Sequence, residues 1–293
     1  MTVISSTPFI PHPFADVQHG VFPSALSEEV YEQWSRTFLR QEHITTERIT
    51  YDSDGLAVQG IKLTPTDVPD DGLPLLIFNR GGMEKYGMLV VPTLLSLLNP
   101  MVEKGYMVLA SQYRGNDGSE GKEQFGGDDV NDVLNLLALG KTMPEWNGKH
   151  AYMLGWSRGG MMTYLALKAG AEVQAAASIA GAADVPSWVH FRPEMDSDVF
   201  RTLIPHNSEA ELHDELVKRS AIHWAEDINV PLHLQHGDAD DRVDVQDSIT
   251  LAERLEALGK PHELVLFEGG DHFMGRHRDI ILNNTHNWFQ KAV

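Results

Sequence analysis

Gly155-Trp156-Ser157-Arg158-Gly159 sets a serine between two glycines. The run ahead of it, Ala151-Tyr152-Met153-Leu154, reads as a buried strand, and residues 160–169 read as a helix. A serine at so sharp a strand-to-helix turn has its hydroxyl lifted clear of the sheet. Glycines let backbone pass close to backbone there, because no Cβ stands in the way. The chemistry on offer is nucleophilic attack on a carbonyl carbon by Ser157. The same turn aims the Arg158 N–H at the place where negative charge would develop. A serine that merely caps a helix is the plainer alternative, so a base and an acid must be found downstream.

Two later loops supply them. Val230-Pro231-Leu232-His233-Leu234-Gln235 predicts a short strand that runs into His236-Gly237-Asp238-Ala239-Asp240-Asp241-Arg242-Val243. Glu263-Leu264-Val265-Leu266-Phe267 predicts another, followed by Glu268-Gly269-Gly270-Asp271-His272. Both loops follow strand C-termini, where open α/β sheets place their sites. The chain order Ser157, Asp240, His272 is the order of the α/β-hydrolase triad.

With these residues in place the chain resembles the catalytic domain of the prolyl oligopeptidase family, from about residue 44 to the C-terminus. The resemblance is carried by Tyr113-Arg114-Gly115, by Gly155-Trp156-Ser157-Arg158-Gly159-Gly160, by His236-Gly237 with Asp240 and Val243, and by Gly270-Asp271-His272. It implies that the acid is the Asp three residues after Gly237, which is Asp240, with Asp238 and Asp241 as runners-up. Two departures stand out. Full-length members carry a large β-propeller ahead of the hydrolase domain, for which 293 residues leave no room. The family's oxyanion segment often reads His-Gly-Gly-Pro, whereas this one reads Arg80-Gly81-Gly82-Met83. By resemblance Gly82, or else Gly81, supplies the second oxyanion N–H beside that of Arg158.

The elements that must hold these groups are legible in outline. Strand and helix patterns alternate from residue 75 onward, which predicts a mostly parallel central sheet flanked by helices; the serine turn and the resemblance imply that it is an α/β-hydrolase fold. Residues 48–51 and 56–63 predict a hairpin about Asp54-Gly55. Residues 75–78 and 107–110 predict buried strands, with Pro74 tolerated only at a strand start. Val130, Val133, Leu134 and Leu137 mark one face of a helix, as do Leu251, Leu255 and Leu258. Residues 1–43 form an arm ahead of the domain at 44–293; its first 25 residues, with their prolines and serines, are expected to be irregular, and Ser27 to cap a helix running toward Arg40. The arm is expected to pack on the domain; covering the site or meeting another subunit of a homo-oligomer are its other uses. Residues 184–225 break the alternation; the resemblance implies a small helical cap insertion that brings Trp188 to the substrate, and the alternative is a peripheral helical excursion whose aromatics only pack on the domain.

Composition bounds what else the chain does. A net charge of −19 disfavours nucleic acid and anionic membrane surfaces as partners. Without cysteine there are no disulfides, thiolate metal sites or cysteine nucleophile. The 14 histidines include no His-Glu-x-x-His pair, and Gly115-Asn116-Asp117-Gly118 lacks the ending of a phosphate loop, so no metal and no cofactor is expected. Met1-Thr2-Val3-Ile4-Ser5-Ser6 has no basic segment or long apolar run, so a soluble cytoplasmic protein is the expectation. Arg158 is expected at the rim of the site, steering a carboxylate or in a surface ion pair. Arg80 is expected to form an ion pair nearby, and His236 to be a structural hydrogen-bonding group. Glu84 follows the oxyanion turn and is a candidate for recognising a cationic group on the substrate. The expected function is a serine hydrolase acting on small-molecule ester or peptide substrates. A peptidase is favoured by resemblance and a carboxylesterase is the alternative; a binding protein that kept the fold is the remote one.

Overall fold

The structure, a computed structural model, describes residues 2–18 and 26–292, so residues 19–25 of the arm lie outside the described residues. The chain divides into two compact units, Met1–Glu123 with Asn131–Ala151, and Gln124–Val130 with Tyr152–Val293.

The first unit is built on strands β1 (Val3–Pro8), β2 (Ile44–Ser53), β3 (Leu56–Pro65), β4 (Leu73–Asn79) and β5 (Met107–Ser111). Their order is β1-β2-β3-β5-β4, antiparallel except for the parallel β4–β5 pair. β2 and β3 form the predicted hairpin. Asp54 and Gly55 both have positive φ, 55° and 81°, which suits a two-residue turn. The Gly55 N–H donates to Asp52 Oδ1 at 2.9 Å. Arg114 ties this turn to the helix Val130–Gly140: its guanidinium donates to Asp54 Oδ2 and to Asp132 Oδ1, both at 2.8 Å. The Tyr113-Arg114-Gly115 marker thus has a structural use in this chain.

β1 corrects the sequence reading, which had residues 1–25 irregular. Its pairs with β2 run from Val3 opposite Tyr51 to Pro8 opposite Glu47. Every residue of it is exposed, so the alternation that marks a half-buried strand is absent. Main-chain pairing with β2 makes it a strand, joined by a hydrogen bond from Ser6 Oγ to Glu47 Oε1 at 2.6 Å. The helix Glu28–Leu39 follows, capped by Ser27, whose Oγ accepts from the Val30 N–H at 3.3 Å. Val17 and Tyr31 pack with Met88 and Val90, so this part of the arm packs within the first unit.

The second unit carries the C-terminal half of β6 (Trp146–Trp156), then β7 (Ala175–Ile179), β8 (Leu232–Gly237) and β9 (His262–Phe267), all parallel and in that order. β7 is buried along its whole length, as a parallel strand covered on both faces requires. The helices Arg158–Lys168, Val245–Ala257 and Arg278–Lys291 follow β6, β8 and β9. Residues 184–225 are helical in short pieces, including Trp188–Phe191 and Glu209–Lys218. Among the described residues no helix is long and apolar enough to cross a membrane.

Candidate active site

Ser157 sits between β6 and the helix Arg158–Lys168 with φ 59° and ψ −125°. This is a left-handed conformation that a side chain rarely adopts, and it persists only where the surroundings enforce it. The glycines show how they enforce it. A Cβ on Gly155 would lie 2.0 Å from the Gly159 carbonyl oxygen, so the turn closes only over a bare backbone. A Cβ on Gly160 would lie 2.3 Å from Ser178 Oγ and 2.5 Å from Gly181 Cα, which lets the helix settle against the loop after β7. The Ser157 N–H donates to the Ile179 carbonyl at 2.8 Å.

The acid loop and the histidine loop are fastened to each other. A Cβ on Gly237 would lie 2.1 Å from the Gly270 carbonyl oxygen. The Ala239 N–H donates to that same oxygen at 3.0 Å, and the Asp238 N–H to the Phe267 carbonyl at 3.1 Å. Asp238 turns its carboxylate to the Gly269 N–H at 2.7 Å, and Asp241 is exposed. Asp240 alone of the three reaches the imidazole: His272 Nδ1 donates to Asp240 Oδ2 at 2.8 Å. The other oxygen, Oδ1, accepts the N–H groups of Arg242 at 2.8 Å and Val243 at 3.0 Å. Burial by itself would push the Asp240 carboxyl up. Hydrogen bonds from His236 and His272, the charge His272 can carry, and the Val243 N–H outweigh it and hold the carboxyl well below the usual range.

With Nδ1 engaged by Asp240, Nε2 is the nitrogen of His272 left for a second proton exchange. Trp156, immediately before Ser157, donates its indole N–H to the His272 carbonyl at 3.1 Å. This bond anchors the histidine loop to the strand end that carries the serine. Among the described residues no hydrogen bond joins the Ser157 hydroxyl to the imidazole. The structure therefore brings Asp240 and His272 into contact and ties the His272 backbone to the neighbour of Ser157.

Arg158 corrects the sequence reading. Its side chain is 1% exposed, ion-paired with the fully buried Asp129, and lies over the Phe125 ring at 4.6 Å. It is part of the interior and not a rim group that steers substrates. Its backbone N–H belongs to the first turn of the helix. Trp188 is 2% exposed and packs with Phe125 and Phe200, both at 6.2 Å between ring centroids.

The segment at 80–83 belongs to the first unit. Gly82 has φ 69°, and a Cβ there would lie 2.1 Å from the Tyr86 carbonyl oxygen, so the loop folds tightly over this glycine and Gly81. Arg80 is 1% exposed and gathers main-chain carbonyls. Its guanidinium donates to Gly81 O at 3.1 Å, Tyr86 O at 3.2 Å, Glu84 O at 3.3 Å and Gln112 O at 2.9 Å. The guanidinium thus acts as a brace that turns the carbonyls of the loop inward. Glu84 is exposed and, with His12, Asp16, Tyr86, Met88 and Asp117, lines a cavity of about 760 Å³ in that unit. Among the described residues no group of three or more His, Cys, Asp or Glu side chains could hold a metal ion.

The sequence carried little signal for Asp129, Phe125 and Trp156. Asp129 lies 29 residues before its partner Arg158, in a segment whose pattern predicts only a helix start. Trp156 occupies a freely variable position of the pentapeptide, and only the fold shows what its indole reaches.

The model of the prolyl oligopeptidase family matches residues 93–293. Among relatives, an uncharacterized peptidase of Bacillus subtilis, YtmA, is 28% identical over 234 residues, covering 79% of this chain and 88% of its own. Human acylamino-acid-releasing enzyme is 25% identical over 238 residues, which cover 74% of this chain and 31% of the human one. Among solved structures, an acylaminoacyl peptidase of Pyrococcus horikoshii matches with a TM-score of 0.67 and 22% identity, over 87% of this chain and 42% of that one. An esterase of Pyrococcus furiosus matches with a TM-score of 0.67 and 17% identity, over 88% of this chain and 94% of that one. The chain thus spans less than half of the larger relatives and nearly all of the smaller ones. These likenesses give the fold as that of the α/β-hydrolases, and the family match, which covers well over half of the residues, makes the chain a member of the prolyl oligopeptidase family of serine hydrolases.

Proposed function

We propose that this chain cleaves ester or amide bonds through an acyl-enzyme formed on Ser157, with His272 as the base and Asp240 as its partner. The observation that carries this reading is the 2.8 Å bond from His272 Nδ1 to a carboxylate kept ionised, on a loop anchored beside a strained serine. His272 Nε2 accepts the Ser157 proton as Oγ attacks the carbonyl carbon. The Arg158 N–H binds the oxyanion, and the family resemblance assigns the second donor to Gly82 or Gly81. The carbonyl re-forms as the bond to the leaving alcohol or amine breaks, and Nε2 returns the proton to that group. Water then repeats the sequence on the acyl-enzyme and frees Ser157. Asp240 stays ionised and stabilises the imidazolium throughout. The steps draw on no cofactor.

A peptidase is the favoured substrate class, since YtmA, which this chain covers almost end to end, is described as one. Esterase action is the second reading, favoured by the esterase of Pyrococcus furiosus, whose chain is matched over 94% of its length. By resemblance the helical insertion built around Trp188 shapes the substrate pocket, and Glu84 is the candidate for recognising the cationic end of a peptide. The substrate is a small ester or peptide, with no nucleic acid or membrane as partner; a homo-oligomer would form through the arm. Comparing kcat/KM on peptidyl anilides and on p-nitrophenyl esters decides between the two classes. Cleavage of esters alone removes the peptidase reading, and turnover unaffected by Ser157→Ala removes both.

A further inference from the structure

His236 is fully buried and hydrogen-bonded at both ring nitrogens. Nε2 lies 3.2 Å from Asp240 Oδ2 and 3.1 Å from the Val243 carbonyl. Both neighbours can only accept while Asp240 is ionised, so Nε2 carries a proton. Nδ1 lies 2.7 Å from Ser248 Oγ, and with the ring neutral the hydroxyl donates to it. Asp240 Oδ2 therefore receives two imidazole N–H groups, from His236 and from His272 at 2.8 Å, while two loop N–H groups hold Oδ1.

We propose that His236 is a positioning residue for the hydrolytic reaction: its Nε2–H fixes the Asp240 carboxylate and sets how much negative charge that carboxylate presents to His272. The inference rests on the hydrolase reading above. A donor on Oδ2 draws charge away from the second imidazole that shares the oxygen. The imidazolium of His272 is then stabilised less than by a bare carboxylate, and removing the donor stabilises it more. Ser248, on the helix Val245–Ala257, holds the tautomer that makes His236 a donor. The charged groups around the pair are Asp240 itself, Asp247 on that helix with Asp184 beside it, Arg242 in the acid loop, and Asp271 next to His272. None of them lies on Oδ2 as a donor, and His236 does.

The test is the pH dependence of kcat/KM and the split between kcat and KM on one p-nitrophenyl ester. Wild type is compared with His236→Phe, His236→Gln, Ser248→Ala and Ser157→Ala. Removing the donor with His236→Phe should move the acid limb up by about half a unit to one unit and lower kcat roughly tenfold at unchanged KM. The amide N–H of His236→Gln can reach Oδ2 and should restore most of both. Ser248→Ala frees the tautomer without touching Asp240 and should shift the limb in the same direction by less. It carries the test if His236→Phe fails to fold. A folded His236→Phe, or a Ser248→Ala paired with an unfolded one, that leaves the acid limb and kcat at wild-type values overturns the proposal. Equal damage from His236→Gln and His236→Phe, with no shift of the limb, reduces His236 to packing and overturns it too. Turnover that survives Ser157→Ala instead removes the hydrolase reading, and this inference with it.

Discussion

Asp240→Asn tests the site with almost no change of shape. The carboxylate now takes four donors, two loop N–H groups on Oδ1 and two imidazoles on Oδ2. An amide can accept on one side only. The backbone N–H groups of Arg242 and Val243 cannot move without unwinding the loop, so the amide oxygen stays with them. The amide NH2 must then face both imidazoles and donate to them. His272 is driven to the tautomer with its proton on Nε2, where it can no longer accept from Ser157. His236 Nε2–H meets a second donor and must hand its proton to Nδ1. The wrong tautomer in a triad typically costs about 10⁴ in turnover, so kcat on a p-nitrophenyl ester should fall by roughly that factor while the protein still folds. Asp238→Asn keeps an oxygen for the Gly269 N–H, and Asp241→Asn changes an exposed group; each should stay within about threefold of wild type. Asp240→Asn within tenfold of wild type, or Asp238→Asn equally damaged, would refute the assignment.

Three further perturbations follow from the geometry. Gly237→Ala puts a methyl 2.1 Å from the Gly270 oxygen, so the acid and histidine loops must part; melting should show a loss of about 2 kcal/mol or more, with turnover falling further than stability explains. Arg80→Met leaves the carbonyls of Gly81, Glu84, Tyr86 and Gln112 without their guanidinium, and denaturant titration should show a loss of roughly 3 kcal/mol or more. Asp247 is buried, which pushes its carboxyl up to about 7 against the N–H donors of Ala183 and Asp184. Its folded value lies above its unfolded one, so the stability it contributes is full below about pH 4 and is lost as pH rises toward 7, by at most about 1.4 kcal/mol per unit. Asp247→Asn should flatten that part of the stability–pH curve; an unchanged slope between pH 4 and 7 would count against it.

What the sequence revealed and what it hid divide along physical lines. The serine turn was legible because strand, glycine, serine and helix are contiguous, and the hairpin because Asp54-Gly55 has the turn chemistry a two-residue loop needs. The order of Ser157, Asp240 and His272 along the chain was legible as loops after strands. β1 was not, since an edge strand exposed on both faces leaves no hydrophobic alternation. Nor were the partners of buried charge. The sequence shows Arg158 and Arg80 as polar residues, and only the fold places Asp129 beside one and four carbonyls around the other. Three aspartates within four positions could not be ranked by local pattern. Gly237 against Gly270 decides, by setting the register of one loop on the other.

The most direct measurement of the central claim is covalent: incubate the intact protein with a fluorophosphonate, measure its mass, and map the modified peptide. The account expects one adduct per chain on Ser157, lost in Ser157→Ala together with roughly 10⁶ of turnover. A label on another residue, or a Ser157→Ala protein that still turns over, would contradict it.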